Sequence, residues 1–462
     1  MAAPVIPPEA DASSSANPSS KWSIGTLTYT KGALLLTFFL LLLGDFGWMM
    51  RERSTAPLSQ LLLANFQPSD FIISILFGTI PSALTVIIWP IVSVWSDRTR
   101  TKWGRRVPFL MVPTPICTAA IFGLAYTPQI AKYIHQFFES SVSLNHCAIA
   151  VFAFFWIIFE VFALVTNNIF IALVNDTVPR GFIGRFFGMF RVVSLGSGIY
   201  FNYYLIKMAD HYSTQLFVGI GIIYFICFTT MCAFIKEGKY PEPVINQSKV
   251  GVIQGIKNYV RECLSHAFYR KVFLTTSVAT ATMIPVNLFS IFAAKSYGIE
   301  TADYGKCIAI TYVCSACIAF PIGWLTDKYH SIRTGFIFLM LYGITMISAF
   351  FIVQGPQTFF VMFIIHGVCS GSYMTATAGL MPVLFPRLKF SQFFSAGNVC
   401  FNLIGMVLAP VLGLLMDWTH HNYNLTLLTA GLTALIGCFF WVSLRKDFNQ
   451  LGGVKNYIAP EA

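Results

Sequence analysis

Charged residues are scarce in this chain of 462 amino acids, because Asp, Glu, Lys and Arg together supply only 11% of it. Hydrophobic residues supply 56%, and the mean hydropathy is +0.68. A soluble protein of this length could not cover its surface with so few polar groups, which places the chain in a lipid bilayer. The formal net charge of +11 comes from basic residues scattered over short loops, so nucleic-acid binding is a poor explanation of it.

Residue groups typical of enzymes and metal proteins are also lacking. The 11 Cys lie mostly in apolar runs and form no ligand cluster with the 8 His. No nucleophile, base and acid stand in a catalytic arrangement. We therefore predict no enzymatic activity, no metal site and no cofactor. Nor does the sequence show the large cytoplasmic domain that a transport-incompetent nutrient sensor would be expected to carry.

Long apolar runs dominate what is present. Each is roughly 20 residues long, enough to cross ~30 Å of hydrocarbon as a helix, which pairs its backbone polar groups internally. Twelve such spans lie near residues 32–53, 71–95, 107–126, 147–174, 184–206, 214–235, 272–294, 305–325, 333–353, 357–383, 393–416 and 424–444. The sequence therefore predicts an all-α membrane protein with twelve transmembrane helices.

Short signatures recur in the two halves of the chain. Residues 93–98 read Ser-Val-Trp-Ser-Asp-Arg, and residues 323–328 read Gly-Trp-Leu-Thr-Asp-Lys. A Pro-Arg pair with a Phe-Phe pair shortly after it stands at residues 179–188 and again at residues 386–395. Two echoes in the same order indicate a duplicated unit. They predict two pseudo-symmetric six-helix bundles, as in transporters that rock about a site between two repeats.

The distribution of basic residues predicts the orientation of the chain. Most of the 30 Lys and Arg fall on the side that carries both tails. The opposite side has only Arg51, Arg53, Lys132, Lys207, Lys295 and Lys306. By the positive-inside rule, both termini are cytoplasmic, in a cytoplasmic (inner) membrane. The predicted segments are a disordered tail at 1–30, a first bundle at 31–236, a cytoplasmic loop at 237–270, a second bundle at 271–446 and a tail at 447–462.

The loop after the second span carries the strongest local motif. Ser-Asp-Arg at residues 96–98 is followed by Gly-Arg-Arg-Val-Pro-Phe at residues 104–109. Asp97 ends a helix at the cytoplasmic surface, where it can accept hydrogen bonds from arginines or from a helix N-terminus. We predict a latch that closes the inner face in one conformation, since a loop that merely anchors the chain would not need Asp97 or its counterpart. The predicted gating residues are Asp97, Arg98, Arg105, Arg106, Asp327 and Lys328.

These motifs resemble the glycoside-pentoside-hexuronide:cation symporter family of the major facilitator superfamily, which includes melibiose permease and the plant sucrose transporters. The resemblance extends over nearly all twelve spans. It implies alternating access and sugar uptake driven by Na⁺ or H⁺. It also implies a sugar-binding role for Asp45, because residues 44–46 resemble the stretch around a sugar-binding Asp of the family. Arg191 stands where the family has an Arg before a small-residue stretch.

Ionisable residues inside spans are costly and are therefore functional candidates. Asp45 lies roughly 20 Å along the first span at 1.5 Å per residue, and Trp48 and Glu52 follow on the same helix face. Carboxylates beside an aromatic ring suit the hydroxyl groups and C–H face of a sugar. The predicted substrate-binding residues are Asp45, Trp48, Glu52, Glu160, Asn167 and Arg191. The alternatives are that Asp45 pairs with a buried Arg such as Arg191, and that Asn167 only joins helices.

The coupling ion is predicted from what the second span lacks. The family has two cation-binding carboxylates there, and their places hold Thr85 and Trp89. We therefore expect H⁺, carried by Asp45 or Glu160, although a Na⁺ site rebuilt from these acids and neutral oxygens stays open. His366 is a further candidate for proton transfer, against a simple buried His bonded to a neighbouring helix.

The predicted function is a proton-coupled sugar or glycoside symporter. We expect a monomer whose partners are a small-molecule substrate and the bilayer. A uniporter is the nearest alternative. A lipid or lysolipid carrier is the other, since the chain has 45 Phe.

Overall fold

The computed structural model describes residues 22–24, 26–137, 142–238, 261–386 and 389–460. Most of the predicted tail at 1–30 and most of the predicted loop at 237–270 therefore lie outside the described residues. The described chain begins with a small hairpin of β1 (Ser23–Ile24) and β2 (Leu27–Thr28), paired antiparallel. Tyr29 donates a hydrogen bond to the Thr177 carbonyl at 2.9 Å, which fastens this segment to the first bundle.

Helices build the N-terminal half. Their bounds are α1 (Lys31–Ala64), α2 (Asp70–Ser74), α3 (Ile80–Arg98), α4 (Pro108–Met111), α5 (Pro113–Ala125), α6 (Thr127–Phe137), α7 (Leu144–Thr177), α8 (Ile183–Tyr200) and α9 (Ala209–Phe234). A π-helical turn, Ile75–Thr79, joins α2 to α3. A second π turn, Phe201–Leu205, and a 3₁₀ turn, Ile206–Met208, separate α8 from α9.

The C-terminal half repeats this pattern. Its helices are α10 (Ala267–Ala281), α11 (Ile284–Ser296), α12 (Thr301–Tyr329), α13 (Ser331–Ile352), α14 (Pro356–Thr377), α15 (Leu380–Leu384), α16 (Phe390–Trp418), α17 (Leu425–Gln450) and α18 (Gly453–Asn456). The predicted tail at 447–462 begins as the end of α17. Its Tyr457 hydroxyl donates to the Leu384 carbonyl at 2.7 Å, which packs the tail against the second bundle.

The described residues contain eleven continuous helical segments that are long and apolar enough to cross a membrane. One of them, Ile183–Phe234, has 52 residues, or ~78 Å at 1.5 Å per residue, more than twice the hydrocarbon thickness. The π and 3₁₀ turns between α8 and α9 break it into two passes. Twelve passes result, and the predicted fold class is confirmed.

The first span is longer than predicted. The sequence suggested an end at residue 53, because a charged Arg-Glu-Arg run stands at residues 51–53, whereas α1 continues to Ala64. Arg51 and Arg53 therefore lie inside the helix, and their predicted place on the outer side was wrong. Burial explains the difference, since Arg51 has no exposed surface and finds its partners within the bundle.

Different charged residues mark the two ends of the helix bundles. Successive passes bring Arg105, Asp176 and Glu237 to the end that also carries both tails, which we call the basic end. Asp70 and Asp417 lie at the opposite end, which we call the Asp70 end. There α2 of the first half packs against α16 of the second so closely that a Cβ at Gly413 would stand 2.7 Å from Phe71 Cα.

Candidate functional site

Arg51 is the centre of a polar cluster between α1 and α7. Its Nη2 donates to Asn167 Oδ1 at 2.5 Å and to Glu52 Oε2 at 3.1 Å. Its guanidinium carbon lies 5.0 Å from the centre of the Tyr224 ring and 5.6 Å from that of Phe159. One carboxylate, one amide oxygen and two aromatic faces therefore stabilise a cation that the surrounding helices bury completely.

Asn167 connects three side chains of this cluster. Trp48 Nε1 donates to its Oδ1 at 2.5 Å, the same oxygen that accepts from Arg51. Its Nδ2 lies 3.4 Å from Glu52 Oε2. The Glu52 side chain is 47% exposed, whereas Arg51 is fully buried. The cluster thus has a packed side at Arg51 and a more exposed side at Glu52.

Glu160 belongs to the same region. It lies two helical turns before Asn167 on one face of α7, and its carboxyl group interacts electrostatically with Glu52 and Arg51. No hydrogen bond reaches Glu160 from the part of the chain that the structure describes. The structure therefore brings together four of the six predicted substrate-binding residues, namely Trp48, Glu52, Glu160 and Asn167.

Asp45 lies apart from this cluster. It is two turns before Glu52 on α1, about 10 Å along the helix axis. The side chain is fully buried, and neither carboxylate oxygen has a hydrogen-bond partner among the described residues. The alternative that Asp45 pairs with Arg191 is not found in this structure. An isolated carboxyl group in the membrane interior is a functional candidate by default.

Arg191 is exposed on α8 and takes no part in the cluster. No ion pair of Arg191 is found among the described residues. Arg53 of α1 instead reaches α8, where its Nη2 donates to Ser194 Oγ at 3.0 Å. Its Nη1 donates to the Tyr312 hydroxyl of α12 at 3.4 Å, so Arg53 joins the two halves of the protein.

His366 is a buried residue of the second bundle rather than part of this cluster. Its Nδ1 is 3.1 Å from the Tyr342 hydroxyl and its Nε2 is 3.2 Å from Asn287 Oδ1. Its ring stacks on Phe363 at 5.8 Å. Both ring nitrogens are satisfied by neighbouring helices, as in the alternative stated for this residue, and nothing among the contacts places His366 beside Asp45 or Glu160.

The loop of the predicted latch makes its described contacts within the first bundle, and its closure of the inner face stays a prediction. Arg105 and Arg106 both bond Asp176 of α7, at 2.8 Å and 3.1 Å. The Glu237 carboxylate accepts three backbone N–H groups, those of residues 105–107, at 2.7–3.1 Å. Gly104 has a φ of +111° and stands so close that an added Cβ would meet the Glu237 carboxylate at 2.5 Å. The loop is thereby fastened to α7 and to the segment that follows α9.

The matching signature at residues 323–328 forms no such cluster with acidic side chains of the described residues. Asp327 is exposed and has no ion pair within the described ranges. The Lys328 ammonium lies over the rings of Trp324 and Tyr329, at 5.2 Å and 5.3 Å. The gating role predicted for Asp327 and Lys328 stays a prediction. The side chains of Asp97 and Arg98 lie outside the described residues.

A set of reciprocal hydrogen bonds joins the halves at the Asp70 end, and we call it the clasp. Asp70 is buried and accepts from the Tyr423 hydroxyl at 2.9 Å, and His421 Nδ1 lies 2.6 Å from its other oxygen. In return, the Asp417 carboxylate accepts the backbone N–H groups of Asp70 at 2.7 Å and Phe71 at 3.0 Å. Asp417 thus caps the N-terminus of α2 from the other bundle.

The Tyr423 hydroxyl keeps its proton at neutral pH and can therefore donate its hydrogen bond to Asp70. Burial and the nearby charges of Asp70 and Asp417 raise the pKa of Tyr423, so its hydroxyl remains a donor. Asp70, Asp417 and His421 also bring ligand atoms within 4.8 Å of one another. Protein hydrogen bonds already occupy these atoms, so the arrangement serves to join two bundles.

The sequence did not reveal Arg51, Arg53 or the clasp as site components. The apolar residues Leu58 and 61–63 after the charged run were the signal that the first helix continues. For Asp70 and Asp417 the sequence carries no sign of pairing, because 347 positions separate the two residues.

Comparisons with known proteins agree with this architecture. The Major Facilitator Superfamily profile matches residues 272–453. The chain is 25% identical over 284 residues to multidrug resistance protein MdtG of Dickeya zeae, covering 60% of this chain and 68% of that protein. It is 23% identical over 175 residues to the general alpha-glucoside permease of Schizosaccharomyces pombe. That alignment covers 36% of this chain and about a third, 31%, of the permease.

Solved structures with the same fold cover nearly the whole chain. A mutant of the nucleoside transporter NupG gives a TM-score of 0.68 at 11% identity, over 88% of this chain and 99% of that one. A bacterial homologue of the lysosomal transporter Spinster, solved inward-facing and unoccupied, gives 0.68 at 12% identity, over 94% and 100%. The D-xylose-proton symporter gives 0.64 at 14% identity, over 93% and 98%. The protein therefore has the major facilitator fold, with a C-terminal half that matches the superfamily in sequence.

Proposed function

We propose that the protein is a secondary transporter that carries a sugar or glycoside together with a cation by alternating access, as in the glycoside-pentoside-hexuronide:cation symporter family. The observation that carries this proposal is the Arg51 cluster. A charged, hydrogen-bonded site lies inside the bundle, in which the Glu52 side chain is partly exposed and the Arg51 side chain is buried. Buried charge in a membrane protein is costly and marks a solute or ion path.

The chemistry of the cluster suits a polyhydroxylated solute. The open Glu52 carboxylate accepts hydroxyl hydrogen bonds, and Asn167 offers both a donor and an acceptor. Trp48 adds an apolar ring face beside them, which covers the C–H face of a sugar. Among the relatives, the permease of Schizosaccharomyces pombe is an alpha-glucoside transporter by name and one structural neighbour is a D-xylose-proton symporter by name. Both names support a transporter rather than an enzyme.

The clasp supplies the conformational element that alternating access requires. It joins the two bundles at the Asp70 end through side chains of both halves, so this end must unfasten before the cluster can be reached from there. The basic residues at the other end favour a cytoplasmic position for both tails. The clasp then faces the outside of the cytoplasmic membrane.

A proton is the coupling ion that the residues favour. Asp45 is buried without a partner, and one proton neutralises a carboxylate without further ligands. Na⁺ is a hard cation that needs several oxygen ligands, and no described oxygen bonds to Asp45. We therefore propose Asp45 as the proton-binding residue, with Glu160 as the group that couples it to the solute through Glu52 and Arg51.

Uptake into proteoliposomes tests this function. Labelled mono- and disaccharides are offered under an inward H⁺ gradient, under a Na⁺ gradient, or without a gradient. We expect accumulation driven by H⁺ alone and abolished in Asp45→Asn, while downhill exchange persists. Asp303→Asn is the matched control, since the side-chain contact of Asp303 among the described residues is an exposed ion pair with Lys306. Equal uptake by wild type and Asp45→Asn at every pH would show a uniporter, and no sugar flux would favour a lipid carrier.

A further inference from the structure

His421 joins the two bundles from a position that the solution can reach. Its Nδ1 lies 2.6 Å from Asp70 Oδ2 of the other half. The His421 side chain is 58% exposed, whereas that of Asp70 is 1% exposed. A buried carboxylate of one bundle therefore bonds a solvent-facing imidazole of the other. A proton can reach this imidazole without entering the membrane interior.

The turn after α16 holds the imidazole in this position. His420 and His421 have φ angles of +55° and +62°, in the left-handed region where residues with a Cβ are uncommon. The His421 N–H donates to the Met416 carbonyl at 2.8 Å, and the His421 carbonyl accepts from the Tyr423 N–H at 2.9 Å. These two hydrogen bonds fix the backbone on both sides of His421, so the turn directs its Nδ1 to Asp70.

The net charge of the clasp depends on the protonation of His421. The charged groups that act on Asp70 are His421 and Asp417. Tyr423 stays neutral, and α11 presents to it the uncharged ring of Phe289 at 5.9 Å. With both carboxylates ionised, a protonated imidazole neutralises one of the two negative charges and a neutral imidazole neutralises neither. Because like charges at close range repel each other, the clasp should be weaker when His421 is neutral.

We infer that His421 is a second proton-binding site, separate from Asp45, and that its protonation closes the Asp70 end. The inference rests on the alternating access of the proposed function and adds a proton site that acts on the conformation. A protonated imidazole bonds a carboxylate more strongly than a neutral one.

Proton uptake by His421 and closure of the Asp70 end therefore favour each other, as linkage requires. Closure is fully favoured below the pH range in which imidazoles ordinarily titrate, and this contribution is lost as the pH rises through that range. With both tails in the cytoplasm, an acidic outside would favour the state that is open to the cytoplasm. The pH gradient would thus act on the direction of the conformational change as well as on the proton load of Asp45.

Hydrogen–deuterium exchange at two pH values tests the inference. The amides of residues 70–79 are followed in the full chain in lipid nanodiscs at about pH 6 and about pH 8, and each rate is corrected for the chemical exchange rate at that pH. We expect the equilibrium constant for opening to rise about fivefold or more between the two values, because hydrogen bonds to charged partners are the stronger ones. His421→Gln and Asp70→Asn should each remove most of this pH dependence. His420→Gln, which changes the exposed neighbour in the same turn, should behave as wild type.

The outcomes separate this inference from the proposed function. A wild-type opening constant that changes by less than about twofold between the two pH values would overturn the inference. So would a pH dependence that persists in His421→Gln, or one that His420→Gln removes. These results concern closure alone, so H⁺-driven sugar uptake observed beside them would leave the proposed function intact. Closure that depends on His421 without any flux of sugar would contradict the sugar-transport proposal alone.

Discussion

Removal of the Asp417 carboxylate should unfasten the Asp70 end of the molecule. Asp417→Ala deletes the acceptor of the backbone N–H groups of Asp70 and Phe71, which are bonded at 2.7 Å and 3.0 Å. A hydrogen bond to a charged group contributes roughly 1.5–3 kcal/mol, and water replaces part of it at a half-buried position. We take about 2–4 kcal/mol for the two hydrogen bonds together. Since 1.4 kcal/mol corresponds to a tenfold change in an equilibrium constant, their loss should raise the equilibrium constant for opening the Asp70 end by roughly 30-fold to 700-fold.

Hydrogen–deuterium exchange of the full chain in lipid nanodiscs measures this opening directly. The amides of residues 70–79 should exchange faster in Asp417→Ala by a factor in that range, because opening limits their exchange. Asp303→Ala is the control. Its ion pair with Lys306 is 2.8 Å long but half exposed and lies within the second bundle, so exchange at residues 70–79 should not change. An Asp417→Ala rate within threefold of wild type would refute the role assigned to the clasp.

Three further substitutions have definite expected effects. Arg51→Ala should lower the free energy of unfolding by about 3 kcal/mol, because it leaves buried polar partners without their cation. Lys306→Ala, the control, should lower it by less than about 1 kcal/mol. Equal effects of the two substitutions in thermal denaturation would contradict the stabilising role given to Arg51. Gly104→Ala should lower stability by roughly 1–3 kcal/mol through its positive φ, whereas Gly181→Ala, with open space around it, should be nearly silent; a melting temperature unchanged in both would be evidence against the loop geometry. Gly413→Ala should raise exchange at residues 70–79 as Asp417→Ala does, and unchanged protection there would show that α2 and α16 are not tightly packed.

The twelve passes could be predicted because hydrocarbon thickness fixes the length of a span and leaves few alternatives to a helix. Hydropathy also placed most span ends within a few residues. It failed at α1, where three charged residues within a helix read as a loop. The burial of Arg51 depends on Asn167, Phe159 and Tyr224, which lie on other helices, and no local pattern shows such partners.

The site could be predicted in part for the same reason. Trp48 and Glu52 follow from their spacing on one helix, and Glu160 and Asn167 from theirs on another. Contacts between helices are a different matter. The pairing of Arg53 with Tyr312, and of Asp70 with His421 and Tyr423, depends on how the two bundles meet. The mirrored signature at residues 323–328 shows that a repeated motif does not fix its contacts, since Lys328 lies over the rings of Trp324 and Tyr329 whereas Arg105 and Arg106 bond Asp176.

Passage of a solute across the membrane through the Arg51 cluster is the step that most needs a direct test. The decisive measurement is uptake of a labelled panel of neutral sugars, sugar acids and sugar phosphates into proteoliposomes, by wild type and by Asn167→Ala, with Asp303→Ala as control. Asn167→Ala removes the amide that bonds Trp48 and Arg51. We predict that wild type and the control carry at least one solute of the panel. Asn167→Ala should slow the uptake of that solute at least tenfold, which corresponds to a loss of roughly 1.4 kcal/mol of stabilisation in the rate-limiting state of transport. Uptake as fast in Asn167→Ala as in wild type would contradict the claim, as would the absence of any flux.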